Sequence, residues 1–451
     1  MADLDAIFKA YDIRGTTPDQ LDADVARALG AAFARFVSDQ VGGAKRILVA
    51  RDMRESGVEL VAAFTAGVQE QGLDVVDLGL ASTDLMYFAS GKLDAPGAMF
   101  TASHNPARYN GAKLCLPGAK PVGEDTGLVE IKAMTASGVA PVSGPPGSVQ
   151  RLDLLREFGN HVRSFVDTTA LRPLKIVADT ANGMGGLVVP VVFEGLPFHL
   201  DVMYGDLDGS FPNHPADPLQ LENLVDLQAR VRDTGADVGL AFDGDADRVF
   251  VVDDQGEPLS GSVTTAIVAV GVLEKHPGST ILHNCICSKM VPEVIREYGG
   301  TPVRTRVGHS FIKAVMADTG AAFGGEHSAH YYFRDNYRAD SGSIAALVLL
   351  EQLCKAGVPL SELRKPFDRY AASGELNFEV SDPHAVIEEV ATAFPADAQD
   401  RLDGLTVDLG DWWFNLRPSN TEPLLRLNLE APDQASCAAR VDEVRARILA
   451  P

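Results

Sequence analysis

Three stretches of the chain repeat one order of features: a β-rich run, a Gly- or Asp-rich turn that carries polar residues, and a segment with helical periodicity. The β-rich runs cover residues 46–50, 174–178 and 278–282. Strands and helices that alternate at this spacing form α/β units around mostly parallel sheets. The repetition is architectural, because no fixed-period sequence repeat accompanies it. The pattern predicts an α/β protein with mixed, mostly parallel sheets.

The length of the chain, 451 residues, is too great for a single hydrophobic core. A Gly-, Pro- and Ser-rich stretch, a turn and a change of pattern mark three candidate boundaries. We therefore expect three α/β domains over residues 1–148, 149–254 and 255–369, followed by a smaller α+β domain over 370–451.

The formal net charge is −23, and the sequence has no basic stripe to offset it. This argues against nucleic acid or an anionic membrane as a partner. A phosphorylated substrate stays possible, because local Arg and Lys clusters decide that. The five cysteines show no CxxC pairing and are interpreted as reduced thiols. With no apolar leader or spanning segment, we expect a cytoplasmic protein.

Residues 243–247 read Asp-Gly-Asp-Ala-Asp and lie between two β-rich runs. Three carboxylates in one tight loop, Asp243, Asp245 and Asp247, give the oxygen ligands that Mg²⁺ prefers, with positions open for a substrate phosphate. A calcium loop is disfavoured because Arg248 stands where that turn needs Gly, and because strands flank it. An acidic surface turn is the remaining alternative. We predict a magnesium site.

Thr101-Ala-Ser-His-Asn-Pro106 follows an apolar strand-like run, so Ser103 lies in a loop just beyond a strand. A serine hydroxyl is a weak nucleophile unless it is activated or already carries a phosphoryl group. His104 is adjacent, but neighbours on a loop need not face each other. Lys113 could neutralise a phosphate or move a proton. The alternative is a turn in which Ser and Asn cap backbone groups.

Gly308-His-Ser-Phe-Ile-Lys313 is interpreted as a loop that opens a helix, with Ser310 as its N-cap. Such an opening presents backbone N–H groups to an anion. His309 could then act on a sugar hydroxyl, although a capping turn with a solvated histidine explains the same residues.

Gly324-Gly-Glu-His-Ser-Ala-His330 places a carboxylate and a hydroxyl two residues apart, at Glu326 and Ser328. This pair accepts and donates hydrogen bonds, as recognition of sugar hydroxyls requires. Zinc at His327 and His330 is disfavoured, because no third ligand lies nearby in the sequence.

Leu416-Arg-Pro-Ser-Asn-Thr-Glu422 separates two strand-like runs. Arg417 offers a planar fork for phosphate. Ser419, Asn420 and Thr421 add short-range donors. A plain polar turn between strands would not need the arginine, so we favour a phosphate clamp.

Four motifs in this order, Thr101–Pro106, Asp243–Arg248, Gly325–Ser328 and Arg417–Pro423, resemble the α-D-phosphohexomutase superfamily. The resemblance covers essentially the whole chain and is strongest to the bacterial phosphomannomutase/phosphoglucomutase group. It implies an α/β protein of four domains around a central cleft. The first three domains would share a mixed-sheet topology, and the fourth would be a smaller α+β domain.

The resemblance also implies roles for single residues. Ser103 would be the active-site phosphoserine and would complete a Mg²⁺ site with the three aspartates. Lys113 would be a plausible general acid/base. The catalytic positions implied in this way are Arg14, Ser103, Lys113, Arg248 and His309. The substrate-binding positions are Tyr11, His104, Lys289, Glu326, Ser328, Arg417, Ser419, Asn420 and Thr421.

The reaction implied is the interconversion of mannose 1-phosphate and mannose 6-phosphate, with glucose phosphates as further substrates. A hexose 1,6-bisphosphate would be both intermediate and activator, and the protein would be a monomer or homodimer. The Ser-Asn-Thr sequence differs from the Ser-Gly-Thr of phosphoglucosamine mutases, which disfavours that alternative. A non-catalytic phosphosugar-binding protein is disfavoured because the nucleophile and metal ligands are all present. His327 could tune the sugar preference.

Overall fold

The computed structural model describes residues 3–419 and 424–449. The chain divides into two compact units. The first unit lies within residues 1–259 and 330–361, and the second within 260–329 and 362–451.

The described residues form helices and strands in the alternating order that the sequence predicts. The helices are α1 (Leu4–Ile7), α2 (Ala23–Val41), α3 (Ser56–Glu70), α4 (Thr83–Leu93), α5 (Leu128–Ser137), α6 (Leu155–Arg163), α7 (Gly185–Phe193), α8 (Val225–Thr234), α9 (Gly261–Lys275), α10 (Met290–Glu297), α11 (His309–Thr319), α12 (Gly342–Ala356), α13 (Leu360–Leu363), α14 (Pro383–Thr392) and α15 (Gln434–Ile448). The strands are β1 (Ile13–Thr16), β2 (Arg46–Arg51), β3 (Asp74–Leu80), β4 (Gly97–Phe100), β5 (Tyr109–Leu116), β6 (Lys120–Pro121), β7 (Val149–Arg151), β8 (Lys175–Asp179), β9 (His199–Met203), β10 (Val238–Phe242), β11 (Val249–Val252), β12 (Thr280–Asn284), β13 (Thr301–Thr305), β14 (Phe323–Gly325), β15 (Tyr331–Phe333), β16 (Ala371–Phe378), β17 (Gln399–Asp400), β18 (Leu405–Asp408), β19 (Trp413–Pro418) and β20 (Leu425–Ala431).

The first sheet is mixed and has the order β1-β5-β4-β2-β3-β7, with β6 beside β5. Strands β4, β2, β3 and β7 are parallel, whereas β5 runs antiparallel to β4 and β1. The residues that follow β3, β2 and β4 therefore lie at one edge of the sheet. In α/β proteins, ligands bind at this carboxyl edge.

Helices α2 and α3 pack against each other through two glycines. A Cβ atom on Gly30 would lie 2.1 Å from the carbonyl oxygen of Phe64, and one on Gly67 would lie 2.1 Å from the carbonyl oxygen of Arg27. Real atoms do not approach so closely, so each position requires glycine. Beneath these helices, the rings of Phe64 and Phe100 meet edge to face at 5.2 Å, in the core of the first sheet.

The second sheet of the first unit has the order β11-β10-β8-β9. Strands β10, β8 and β9 are parallel, and β11 returns antiparallel to β10. Both β10 and β11 are buried along their whole length, which explains the apolar runs on either side of the acidic loop.

In the second unit, β13, β12 and β14 are parallel neighbours. A separate antiparallel sheet has the order β16-β20-β19-β18-β17. Its core includes residues of α14 and α15, so the predicted smaller α+β domain is confirmed. Helix α11 begins at His309 with Gly308 as its N-cap residue at φ +129°, so the prediction that Ser310 caps it is wrong.

Within the described ranges, no single helix is long and apolar enough to cross a membrane. One bent pair, Gly342–Ala356 with Leu360–Phe367, meets the length and composition criteria only when its two parts are taken together.

We expect Gly67→Ala to destabilise the protein by about 1–3 kcal/mol, because the added methyl group overpacks the contact between α2 and α3. The measurement is the midpoint of thermal unfolding. Gly57→Ala in the same helix is the control, since its Cβ would meet nothing nearer than 3.4 Å. Equal midpoints for the two variants would contradict this account of the helix contact.

Candidate active site

The acidic loop between β10 and β11 buries three carboxylates together. Asp243, Asp245 and Asp247 are at most 1% exposed. One oxygen from each lies within 4.8 Å of the others. Ala246 adopts φ +59°, which turns the chain so that the alternate side chains face the same point. Three like charges this close cannot stay buried without cations.

Two cationic side chains form ion pairs with these carboxylates. The Nζ atom of Lys113, on β5, lies 2.7 Å from Oδ2 of Asp245 and 2.8 Å from Oδ2 of Asp247. Arg248 donates from Nε to Oδ2 of Asp243 at 3.0 Å, and its Nη2 lies 2.9 Å from the same oxygen. The acidic loop is thereby tied to the first sheet by ion pairs.

The pKa values in the cluster follow from burial and these pairs. Burial raises the pKa of Asp243 to about 7, against the opposing effect of Arg248. Burial by itself would raise the pKa of Asp245. The charge and the hydrogen bond of Lys113, together with other donors, outweigh this effect, so the pKa of Asp245 is lowered. The pKa of Lys113 is raised well above its usual range by Asp245 and Asp247, although burial opposes this. Lys113 therefore keeps its proton at neutral pH.

Two oxygens of the cluster are left unsatisfied by the part of the protein that the structure describes. The Oδ1 atoms of Asp245 and Asp247 are buried and have no hydrogen-bond partner there. An unpaired carboxylate oxygen buried away from water is costly. Oxygen ligands of this type suit a hard divalent cation, so the residues present fit a metal ion.

Ser103 lies in the loop after β4, at the carboxyl edge of the first sheet. It is 5% exposed and adopts φ +49°, a conformation that L-residues seldom take. Its Oγ donates to Oδ2 of Asp243 at 2.8 Å, and its backbone N–H donates to Oγ1 of Thr101 at 2.9 Å. The structure thus brings the predicted serine and the predicted metal ligands together.

His104 and Arg14 surround the same loop. The Nδ1 atom of His104 lies 3.3 Å from Oγ of Ser103 and 2.7 Å from Nη2 of Arg248. Burial, and then the charge of Arg248, lower the pKa of His104 well below its usual range, so the ring is a neutral acceptor for Arg248. Arg14 donates to Oδ1 of Asn105 at 2.6 Å. Tyr11 lies just before β1 and is half-buried.

Two parts of this site were missed in the sequence. Thr83, at the start of α4, donates from Oγ1 to Oδ2 of Asp245 at 2.6 Å. His330, which we considered only as a zinc ligand, bonds through Nδ1 to Oδ2 of Asp340 at 2.9 Å. His330 and Asp340 form a close group with Asp247. The only available signal was that Thr83 follows a strand, β3, at the same sheet edge as Ser103.

In the second unit, Glu326 is buried directly after β14. Its Oε1 accepts from Nδ2 of Asn284 at 3.2 Å and from the backbone N–H of Gly308 at 3.0 Å, so it fixes the turn that opens α11. His309 is the first residue of that helix. Ser328 is half-buried.

His327 turns inward, with its Nδ1 3.1 Å from Oγ of Ser262. Burial lowers its pKa.

Lys289 and Arg417 are engaged with residues of the second unit. Nζ of Lys289 lies 3.0 Å from Oδ1 of Asp408. Arg417 is 4% exposed, and its Nη2 lies 3.3 Å from Oε2 of Glu375. Among the described residues, the buried Nε of Arg417 has no hydrogen-bond partner.

The clamp is only partly described. Ser419 donates its backbone N–H to the carbonyl of Leu424 at 2.8 Å. Asn420 and Thr421 lie outside the described residues.

Four family models match the chain in order. They are described as phosphoglucomutase/phosphomannomutase alpha/beta/alpha domains I, II and III, over residues 5–139, 156–256 and 260–370, and the C-terminal domain, over residues 375–447. The chain belongs to the phosphoglucomutase/phosphomannomutase family. The predicted superfamily, the four-domain α/β fold class and the isomerase class of phosphohexomutases are confirmed by this match.

Individual members of the family are similar over nearly the full length. A protein named phosphomannomutase from Salmonella montevideo is 39% identical, over 94% of each chain. One named phosphohexose mutases from Xanthomonas campestris is 38% identical, over 97% of this chain and 98% of the other. A crystal structure of a phosphoglucomutase/phosphomannomutase family protein from Burkholderia thailandensis has a TM-score of 0.89 and 34% identity, over 99% and 98% of the two chains.

We expect divalent cations to raise the midpoint of thermal unfolding in a saturable manner, because an ion held by the three aspartates stabilises only the folded state. At a hundred times the Kd the gain would be about 2.7 kcal/mol. Titrations with Mg²⁺ and Mn²⁺ on chelator-treated protein measure it. Asp245→Asn should weaken the response at least about tenfold, as loss of a ligand partner does elsewhere. Asp233→Asn, which removes an exposed charge in α8, is the control, and identical titrations of the two variants would contradict the assignment.

Proposed function

We propose that the protein is a phosphomannomutase that interconverts mannose 1-phosphate and mannose 6-phosphate and also accepts the glucose phosphates. One observation carries the proposal: the Oγ of Ser103 lies 2.8 Å from a buried cluster of three carboxylates. Relatives named phosphomannomutase support the choice of mannose. The proposed intermediate and activator is a hexose 1,6-bisphosphate.

The proposed reaction has two transfers. In the first, the bond between phosphorus and Oγ of phosphorylated Ser103 breaks, and a bond forms to the free hydroxyl oxygen of the hexose phosphate. The hydroxyl proton passes to the released Oγ of Ser103, and the resulting bisphosphate reorients. In the second, Oγ of Ser103 takes the phosphoryl group back from the other end of the sugar, and the proton of Oγ passes to the sugar oxygen that is released. Positioning and charge neutralisation supply most of the catalysis in such loose transfers.

The cationic side chains at Ser103 suit this chemistry. Lys113, held protonated by two carboxylates, is proposed as the acid that neutralises the departing oxygen. Arg248 lies in hydrogen-bond contact with both Asp243 and His104, and we propose that it orients the transferring group. Arg14 would act from the other side of the loop, with Tyr11 and His104 as substrate contacts.

Asp243, Asp245 and Asp247 would hold Mg²⁺, together with an oxygen of the phosphoserine. When bound, the ion would supply charge neutralisation for the phosphoryl group. The Oδ1 atoms of Asp245 and Asp247, which have no partner in the described part of the chain, support a hard cation of this type.

For the sugar and its second phosphate, we propose residues of the second unit. Glu326 and Ser328 would bind the 3- and 4-hydroxyl groups. Arg417 would bind the phosphate that is not transferred, and its Nε, which has no partner among the described residues, supports this role. The remaining proposed contacts are Lys289, His309, Ser419, Asn420 and Thr421.

A phosphoglucosamine mutase is the second candidate within the family, and Asn420 in place of glycine argues against it. A non-catalytic phosphosugar-binding protein would not need the serine, the metal ligands and Lys113 in hydrogen-bond contact with each other.

The test is a ³¹P NMR time course with Mg²⁺ and a trace of hexose 1,6-bisphosphate. Mannose, glucose and glucosamine 1-phosphates are supplied separately. We expect conversion of mannose 1-phosphate to the 6-phosphate without inorganic phosphate. Release of inorganic phosphate alone would identify a phosphatase instead, and conversion of only the glucosamine phosphate would favour the second candidate.

Ser103→Ala should lower turnover at least about 10³-fold, on the scale that loss of a catalytic nucleophile costs. Binding of mannose 1-phosphate, measured by calorimetry, should persist. Ser137→Ala, an exposed serine at the end of α5, is the control. Turnover of Ser103→Ala at the control rate would refute the phosphoserine.

A further inference from the structure

Arg54 is an arginine buried at the carboxyl edge of the first sheet, three residues after β2. Its side chain is 1% exposed. A guanidinium group without water is tolerated only when every N–H group has an acceptor and the charge has a counterion. Arg54 meets both conditions, and its acceptors show which segment of the chain it holds.

Four of the five guanidinium N–H groups donate to main-chain carbonyl oxygens of one loop. Nη2 donates to the carbonyls of Ser103 at 2.9 Å and Asn105 at 2.7 Å, and Nη1 donates to those of Pro106 at 2.9 Å and Tyr109 at 3.0 Å. A planar guanidinium carries five donors in fixed directions. The donors of Arg54 thus span the segment that begins at Ser103 and ends at β5.

The fifth donor and the backbone of Arg54 are fixed by Asp52. Nε donates to Oδ2 of Asp52 at 3.1 Å, and the backbone N–H donates to Oδ1 at 2.9 Å. Asp52 is fully buried and supplies the counterion. Because one carboxylate holds both ends of the arginine, the direction of the guanidinium plane is set before it meets the loop.

A segment beyond the first sheet closes over the other face of this arginine. The Cζ atom of Arg54 lies 5.1 Å from the ring centroid of Phe211, in a cation–π contact. At Gly209 the backbone approaches so closely that a Cβ there would lie 2.7 Å from Cα of Arg54. Arg54 is therefore held between this segment and the loop of Ser103.

We propose that Arg54 is a positioning residue for phosphoryl transfer, which holds the Ser103 loop by its carbonyl oxygens and so keeps Oγ of Ser103 at Asp243. The φ of +49° at Ser103 is a conformation that persists only when the surrounding structure imposes it, and the carbonyl of Ser103 itself is one of the four acceptors. The inference rests on the proposed role of Ser103 as the phosphoryl carrier. Lysine cannot replace this arginine, because it offers three donors without the planar fork.

The test compares Arg54→Lys with wild type in steady-state kinetics on mannose 1-phosphate. We expect kcat to fall by about 10- to 100-fold with KM changed by less than about threefold, since a misplacement near 1 Å can cost about 10² in rate. Phosphorylation of Ser103 by hexose 1,6-bisphosphate, followed by intact mass, should slow by the same factor. The matched control is Arg46→Lys at the opposite end of β2, where the exposed arginine donates to the carbonyl of Leu93 at 3.2 Å. An unchanged kcat in Arg54→Lys would overturn the proposal.

A second measurement does not depend on turnover. Hydrogen exchange of a peptide covering residues 101–109 should be faster in Arg54→Lys than in wild type and unchanged in Arg46→Lys. Gly209→Ala, which keeps the arginine but displaces its backbone, should speed the same peptide and lower kcat. Unchanged exchange in both variants would overturn the positioning role. If the variants show the expected differences in exchange but the wild-type protein has no mutase activity, the proposed function is refuted and the positioning of the loop is not.

Discussion

The burial of three carboxylates within 4.8 Å of one another is the constraint on which the candidate site depends. Removing such charges from water costs several kcal/mol for each ion unless other groups compensate. The compensation comes from Lys113 on β5, from Arg248 in the loop itself, and from the hydroxyl groups of Ser103 and Thr83. Because Lys113 lies on the first sheet and the acidic loop joins two strands of the second sheet, the electrostatics that stabilise the acidic loop also fix its position against the serine.

The parallel strands explain how residues from distant parts of the sequence reach one place. Strands β3, β2 and β4 are neighbours that run in the same direction, and Thr83, Arg54 and Ser103 follow them. Each residue has a different partner: a carboxylate of the acidic loop, the backbone of the serine loop, and Asp243. The carboxyl edge of a parallel sheet is a general position for ligand sites. Here the hydroxyl group of Thr83, the guanidinium group of Arg54 and Oγ of Ser103 all lie at this edge.

The parts of the structure that the sequence predicts are those encoded over short distances. Strands β2 and β11 coincide with continuous apolar runs, and the three aspartates are separated by single residues, so their convergence follows from one loop. Arg54 and Thr83 were missed because their partners are 49 and 162 residues away, and one sequence contains no information on such pairs. The prediction for Ser310 was wrong because a glycine with positive φ, Gly308, caps α11 two residues before the serine.

The two oxygens of Asp245 and of Asp247 have different surroundings, and this difference affects the net charge that the cluster can hold. Lys113 binds the Oδ2 atoms of Asp245 and Asp247, whereas their Oδ1 atoms have no hydrogen-bond partner among the residues that the structure describes. The Oδ1 atoms would therefore be the oxygens that gain a partner if a cation binds. With all three carboxylates ionised, Lys113 and Arg248 would leave one net negative charge, and a divalent ion would reverse its sign. A phosphoryl group on Ser103 would be attracted more strongly in that second state, so we expect the ion and the phosphoryl group to bind cooperatively.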